Sequence, residues 1–207
     1  MYTHNKQIIT EGTPVKEAKK AIIMLHGRGA SASGIISLAN HLHLTDTAII
    51  APQATEHSWY PYSFMAPVEN NEPALSSALA LIDDLVDDIT AQGIAKKDLY
   101  FLGFSQGACL TLEYIARHGD IYGGAIAFTG GLIGQKLVEE NYKGDFGGTP
   151  ILITTGDPDP HVPLRRVEES VAILQKLNAR VQLKVYKGRP HTITSEELEL
   201  AMQHVLK

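Results

Sequence analysis

The chain has 207 residues, of which 44% are hydrophobic and 20% charged. These are globular proportions that exclude disordered, collagen-like and coiled-coil classes. A formal net charge of -5 lacks the basic surplus a nucleic-acid partner would need, so no nucleic acid is expected. No apolar run approaches the ~20 residues that span a bilayer, so an integral membrane protein is not expected either. The first twenty residues contain no apolar stretch of the secretory kind and Cys109 is the only cysteine, which together predict a cytoplasmic protein without disulfides.

Residues 7–10 read as a possible first strand. Short apolar runs bounded by turn residues follow at 21–25, 47–51, 99–104, 124–128 and 151–155, the pattern of strands buried on both faces of a parallel sheet. Leu75, Leu79, Ile82, Val86 and Ile89 fall on one helical stripe, with Asp83, Asp84, Asp87 and Asp88 largely off it, and Gly93 is expected to stop that helix. The segment after Ser105 is apolar nearly all round and predicts a covered, central helix. Val167, Val171 and Leu174 mark another. Residues 181–186 alternate apolar and polar, as a half-exposed strand near a sheet edge does, and Thr194 with Glu197 forms a capping box opening the last helix. Alternating strands and helices from residue 21 onward predict right-handed crossovers and a three-layer α/β sandwich in one domain spanning 1–207. Only about twenty residues separate the fourth buried strand from Pro150, too few for a large cap domain, so a shallow, uncapped site is expected.

Gly103, Phe104, Ser105, Gln106 and Gly107 spell G-x-S-x-G where a buried strand meets an apolar helix. A serine hydroxyl is a poor nucleophile unless held exposed beside a base, and a sharp strand-to-helix turn does the holding. The flanking glycines give that turn room, and the helix N-terminus faces the place where an oxyanion would form. The base and its orienting acid are expected after later strands, in the order serine, acid, histidine. Asp157 and Asp159 follow the strand at 151–155 in a loop with three prolines, and His191 lies between the last strand and last helix. Spacing leaves the two aspartates open, and His161 is the rival base. No metal is expected, because Pro158 and Pro160 restrict the loop and no second ligand cluster accompanies it.

With these residues the sequence resembles the phospholipase/carboxylesterase family of α/β-hydrolases, which includes acyl-protein thioesterases. The resemblance spans nearly the whole chain. It rests on His26-Gly27-Arg28-Gly29, Ser58-Trp59-Tyr60, the serine motif, the run from Gly156 to Pro163, and His191. It implies Ser105 as nucleophile, His191 as base, Asp159 as the acid, and the backbone N–H groups of Arg28 and Gln106 as the oxyanion hole. It also implies a small-molecule ester, thioester or lysophospholipid substrate and no cofactor. Thioesterase members commonly carry an aliphatic residue where this chain has Arg28, whose side chain either attracts an anionic substrate group or points to solvent. Trp59, Tyr60, Phe64 and Met65 are expected to line an acyl or leaving-group site, with plain packing or a homodimer contact as the alternatives. Cys109 is expected to be buried and inert. Competing readings are a dienelactone-hydrolase-like or peptidase-like specificity on the same residues, or a non-catalytic binding module.

Overall fold

The computed structural model describes residues 2–206. Seven strands form its sheet: β1 (Ile8–Gly12), β2 (Lys20–Leu25), β3 (Thr47–Pro52), β4 (Leu99–Phe104), β5 (Gly124–Phe128), β6 (Pro150–Asp157) and β7 (Arg180–Lys187). Their spatial order is β1-β3-β2-β4-β5-β6-β7. From β3 onward every neighbouring pair is parallel, while β1 runs antiparallel to β3 with Ile8 opposite Pro52 and Gly12 opposite Ala48. The first strand therefore begins one residue later than its apolar pattern suggested and ends two residues further on.

Central strands of a parallel sheet are covered on both faces, which is why they read as unbroken apolar runs. In β2, Ile23 and Leu25 enter one core and Ile22 and Met24 the other. The first core is covered by α2 (Ala74–Ala91), α3 (Gln106–Arg117) and α4 (Leu164–Lys176); the second lies under α1 (Ala32–Ile36) and α5 (Ser195–His204). Every residue of α3 from 106 to 116 is buried, so the apolar segment after Ser105 is the central helix its composition predicted. The edge strand β7 is only half-buried along most of its length, and the Thr194–Glu197 capping box opens α5. Among the described residues no helix is long and apolar enough to cross a membrane.

The expected alternation fails between β5 and β6, where residues 129–149 carry only a single 3-10 turn at Glu139–Asn141. The buried opening of this connection, residues 129–134, must satisfy its backbone polar groups some other way. Three buried side chains do so. The Glu113 carboxylate accepts the Ile133 N–H at 2.9 Å, Ser170 Oγ accepts the Leu132 N–H at 2.8 Å, and Arg166 donates to the carbonyl of Gly134 at 2.6 Å. Since these partners sit on α3 and α4, the connection is fastened to the helices that flank the carboxyl ends of β4 and β6.

Candidate active site

Ser105 sits between β4 and α3 with φ 53° and ψ -116°, outside the range L-residues normally adopt. The turn is held by its surroundings. Ser105 N–H donates to the Phe128 carbonyl at 2.9 Å. A Cβ on Gly103 would lie 2.3 Å from the Gly107 carbonyl oxygen, and one on Gly107 would lie 2.1 Å from that of Leu25. Only glycine allows β2, β4 and α3 to approach this closely. The strained backbone leaves the hydroxyl clear of its own helix.

Ser105 Oγ and His191 Nε2 are 2.8 Å apart, and His191 Nδ1 is 2.8 Å from Asp159 Oδ2. A carboxylate only accepts, so Nδ1 carries the proton and Nε2 is left to accept from the serine hydroxyl. The other carboxylate oxygen, Oδ1, accepts the N–H groups of His161 and Val162, each at 2.9 Å. Burial alone would push the Asp159 carboxyl up; the hydrogen bonds from His191 and these two amides outweigh it and hold it below the ordinary carboxylate range. Of the two aspartates only Asp159 reaches His191: Asp157 ends β6 exposed to solvent, and among the described residues it makes no side-chain hydrogen bond to an imidazole. His161, the rival base, packs edge-on to His191 with ring centroids 5.1 Å apart and borders the same cavity.

The loop carrying His191 rests on a buried polar network that sequence reasoning recognised only in part. Glu197, fully buried, accepts from Thr194 N–H at 2.8 Å and from the hydroxyl of Thr154 on β6, and faces Arg189 Nη1 at 3.3 Å. Arg189 in turn donates to Thr129 Oγ1 at 2.7 Å and to the Thr192 carbonyl. The capping-box pattern identified Glu197 as a helix start. No local pattern identified its partner two residues before His191.

On the other side of Ser105, a strap at residues 58–62 is gripped by two side chains. Gln106 donates to the Tyr60 carbonyl at 2.7 Å and accepts the Trp59 N–H at 2.9 Å. Arg28 donates to Ser58 Oγ at 3.0 Å and to the carbonyls of Pro61 at 2.8 Å and Tyr62 at 2.6 Å. Besides the roles expected of it, the Arg28 side chain fastens the strap. The backbone N–H groups of Arg28 and Gln106 have no protein acceptor among the described residues. His26 stays neutral because burial depresses its pKa, and its Nε2 accepts the Ala54 N–H at 3.1 Å, which fixes the loop that bears Arg28.

A cavity of about 520 Å³ opens beside Ser105 and is bordered by Tyr60, Phe64, Val162 and Cys109. Two of the four residues expected to line it are elsewhere. Trp59 is wholly buried with its indole N–H on the His26 carbonyl at 2.8 Å, so it packs beneath the loop. Met65 lines a separate cavity beside α4. An aromatic cluster in a loop does not reveal which rings turn inward, and here only Tyr62 in that segment is a largely exposed ring. Cys109 is buried, and desolvation pushes its thiol up to about 12, so it carries no thiolate near neutrality.

The phospholipase/carboxylesterase family model matches residues 5–207. Over 100% of this chain and 99% of the other, a crystallised phospholipase/carboxylesterase from Dyadobacter fermentans DSM 18053 shares 63% identity at a TM-score of 0.99. A probable carboxylesterase SOBER1-like of Arabidopsis thaliana is 27% identical over 88% of this chain and 76% of its own length. Acyl-protein thioesterase 1 of Saccharomyces cerevisiae is 28% identical over 89% and 91% respectively.

Proposed function

This chain belongs to the phospholipase/carboxylesterase family of α/β-hydrolases and is a carboxylic ester hydrolase; from that premise we propose that it works through an acyl-enzyme formed on Ser105. His191 Nε2 takes the hydroxyl proton as Ser105 Oγ attacks the ester carbonyl. The resulting imidazolium then gives that proton to the departing alcohol or thiol. Water, deprotonated by the same nitrogen, attacks the acyl-enzyme, and Ser105 regains its proton as the acid leaves. Asp159 holds the productive tautomer and stabilises the imidazolium. The amides of Arg28 and Gln106 are the oxyanion donors, a role typically contributing about a hundredfold or more in rate per donor.

The observation that carries this reading is the continuous chain from Ser105 Oγ through His191 to Asp159, both links 2.8 Å. A binding module would not need a strained serine aimed at an oriented imidazole. The lone buried cysteine fits a reducing cytoplasm. Turnover of 4-nitrophenyl esters of graded acyl length tests the reaction and the cavity's reach together. We expect hydrolysis that Ser105→Ala abolishes; turnover surviving that substitution contradicts the assignment.

A further inference from the structure

The cation bordering the cavity is held by uncharged groups. Arg28 donates to three neutral oxygens, on Ser58, Pro61 and Tyr62, which immobilise the guanidinium without cancelling its charge. Among the described residues it has no carboxylate partner, whereas Arg117, Arg165, Arg166 and Arg189 each lie within 3.3 Å of a glutamate oxygen. Three of its five N–H groups are used by the strap, leaving Nε–H and one Nη2–H for something else.

The cavity's composition points the same way. Arg28, His161 and His191 border it, and among the described residues no aspartate or glutamate does. The acid closest to the chemistry, Asp159, has its side chain wholly covered and its oxygens occupied by His191 and two backbone N–H groups. A rigid, uncompensated guanidinium beside a reacting carbonyl recognises a planar anion well, because no ordering of the arginine is required on binding. In a chain of net charge -5, such a feature also gives an anionic substrate a local attraction that the molecule as a whole does not provide.

We propose that the preferred substrates are esters bearing a carboxylate close to the scissile carbonyl, with Arg28 receiving that carboxylate. This inference rests on the serine-hydrolase reading above. The bond broken is still the acyl C–O bond, and the recognised carboxylate takes no part in proton transfer.

The test compares phenyl hydrogen glutarate with phenyl pentanoate, which match in acyl-chain length and differ in a terminal charge. For the wild-type protein at low salt, kcat/KM is expected to favour the glutarate by about tenfold or more. The preference should fall several-fold as salt is raised from 20 to 500 mM, because exposed charges are screened. Within Arg28→Met the ratio should approach one, whatever that variant's overall rate, while Arg28→Lys should keep a preference. A wild-type ratio at or below one, a ratio indifferent to salt, or an unchanged ratio in Arg28→Met overturns the proposal while leaving the esterase reading intact. Failure of the wild-type protein to hydrolyse either ester, with Ser105 unreactive to a fluorophosphonate, overturns both.

Discussion

Arg189 Nη1 and Glu197 Oε2 meet 3.3 Å apart with their side chains only 5% and 0% exposed, directly behind the loop that presents His191. The pair joins the start of α5 to the end of β5 and the middle of β6, because Glu197 also accepts from Thr154 and Arg189 also donates to Thr129. Removing one partner of such a pair leaves an uncompensated buried charge, which costs about 3–5 kcal/mol. Arg189→Met is therefore expected to lower the urea midpoint severely, and Thr154→Val much less; equal midpoints for Arg189→Met and the parent would show that the pair contributes nothing.

The two aspartates of the 156–163 loop should separate cleanly in kinetics. In Asp159→Asn the amide oxygen keeps the two backbone N–H groups and the amide N–H faces His191 Nδ1, which favours the wrong tautomer and is expected to cut kcat by about 10⁴. Asp157→Asn should stay within a few-fold of the parent. Steady-state rates on 4-nitrophenyl acetate decide between them, and the reverse ranking would reassign the acid.

Asp159 also makes a prediction about acid stability. Its folded-state pKa lies below the ordinary carboxylate value, so between the two values the unfolded chain binds more protons than the folded one. The stabilisation it contributes is fully present above the unfolded value of about 3.9 and is lost as pH falls through the folded value. Urea midpoints of the parent and Asp159→Asn should consequently keep their gap at pH 6 and begin to converge as pH falls below about 4. A gap that widens on acidification would contradict the sign of this shift.

Glycines around Ser105 should differ sharply in tolerance. A Cβ at Gly107 would meet the Leu25 carbonyl oxygen at 2.1 Å, backbone against backbone, whereas one at Gly29 meets nothing within 4 Å and is opposed only by φ +74°. Gly107→Ala should prevent stable folding. Gly29→Ala should cost about 1–2 kcal/mol, the usual penalty for a side chain in the left-handed region. Thermal melts of both variants check the contrast, and a Gly107→Ala protein melting like the parent would contradict it.

What the sequence made legible was whatever rests on local pattern. The buried strands announced themselves as apolar runs, α3 as a segment without a wet face, and Ser105 through the glycines its turn demands. The order of later loops brought the Asp157–Asp159 loop and His191 into view because parallel strands deliver successive loops to one end of the sheet, while the choice of Asp159 came from the family resemblance. The helix-free link from β5 to β6 was not legible, since its backbone is satisfied by Glu113, Arg166 and Ser170 from distant elements. That Trp59 and Met65 lie outside the cavity beside Ser105 was not legible for a similar reason: an aromatic or thioether side chain in a loop carries no period that tells which way it turns. The roles of Arg28 and Arg189 likewise depend on carbonyls and hydroxyls contributed from across the fold.

The central claim is that Ser105 is an activated nucleophile, and covalent labelling tests it most directly. After incubation of the folded protein with a fluorophosphonate, peptide mass spectrometry should find the adduct on Ser105, formed rapidly in the parent and far more slowly in His191→Ala. An unmodified Ser105, or an adduct formed as fast without His191, would contradict the account.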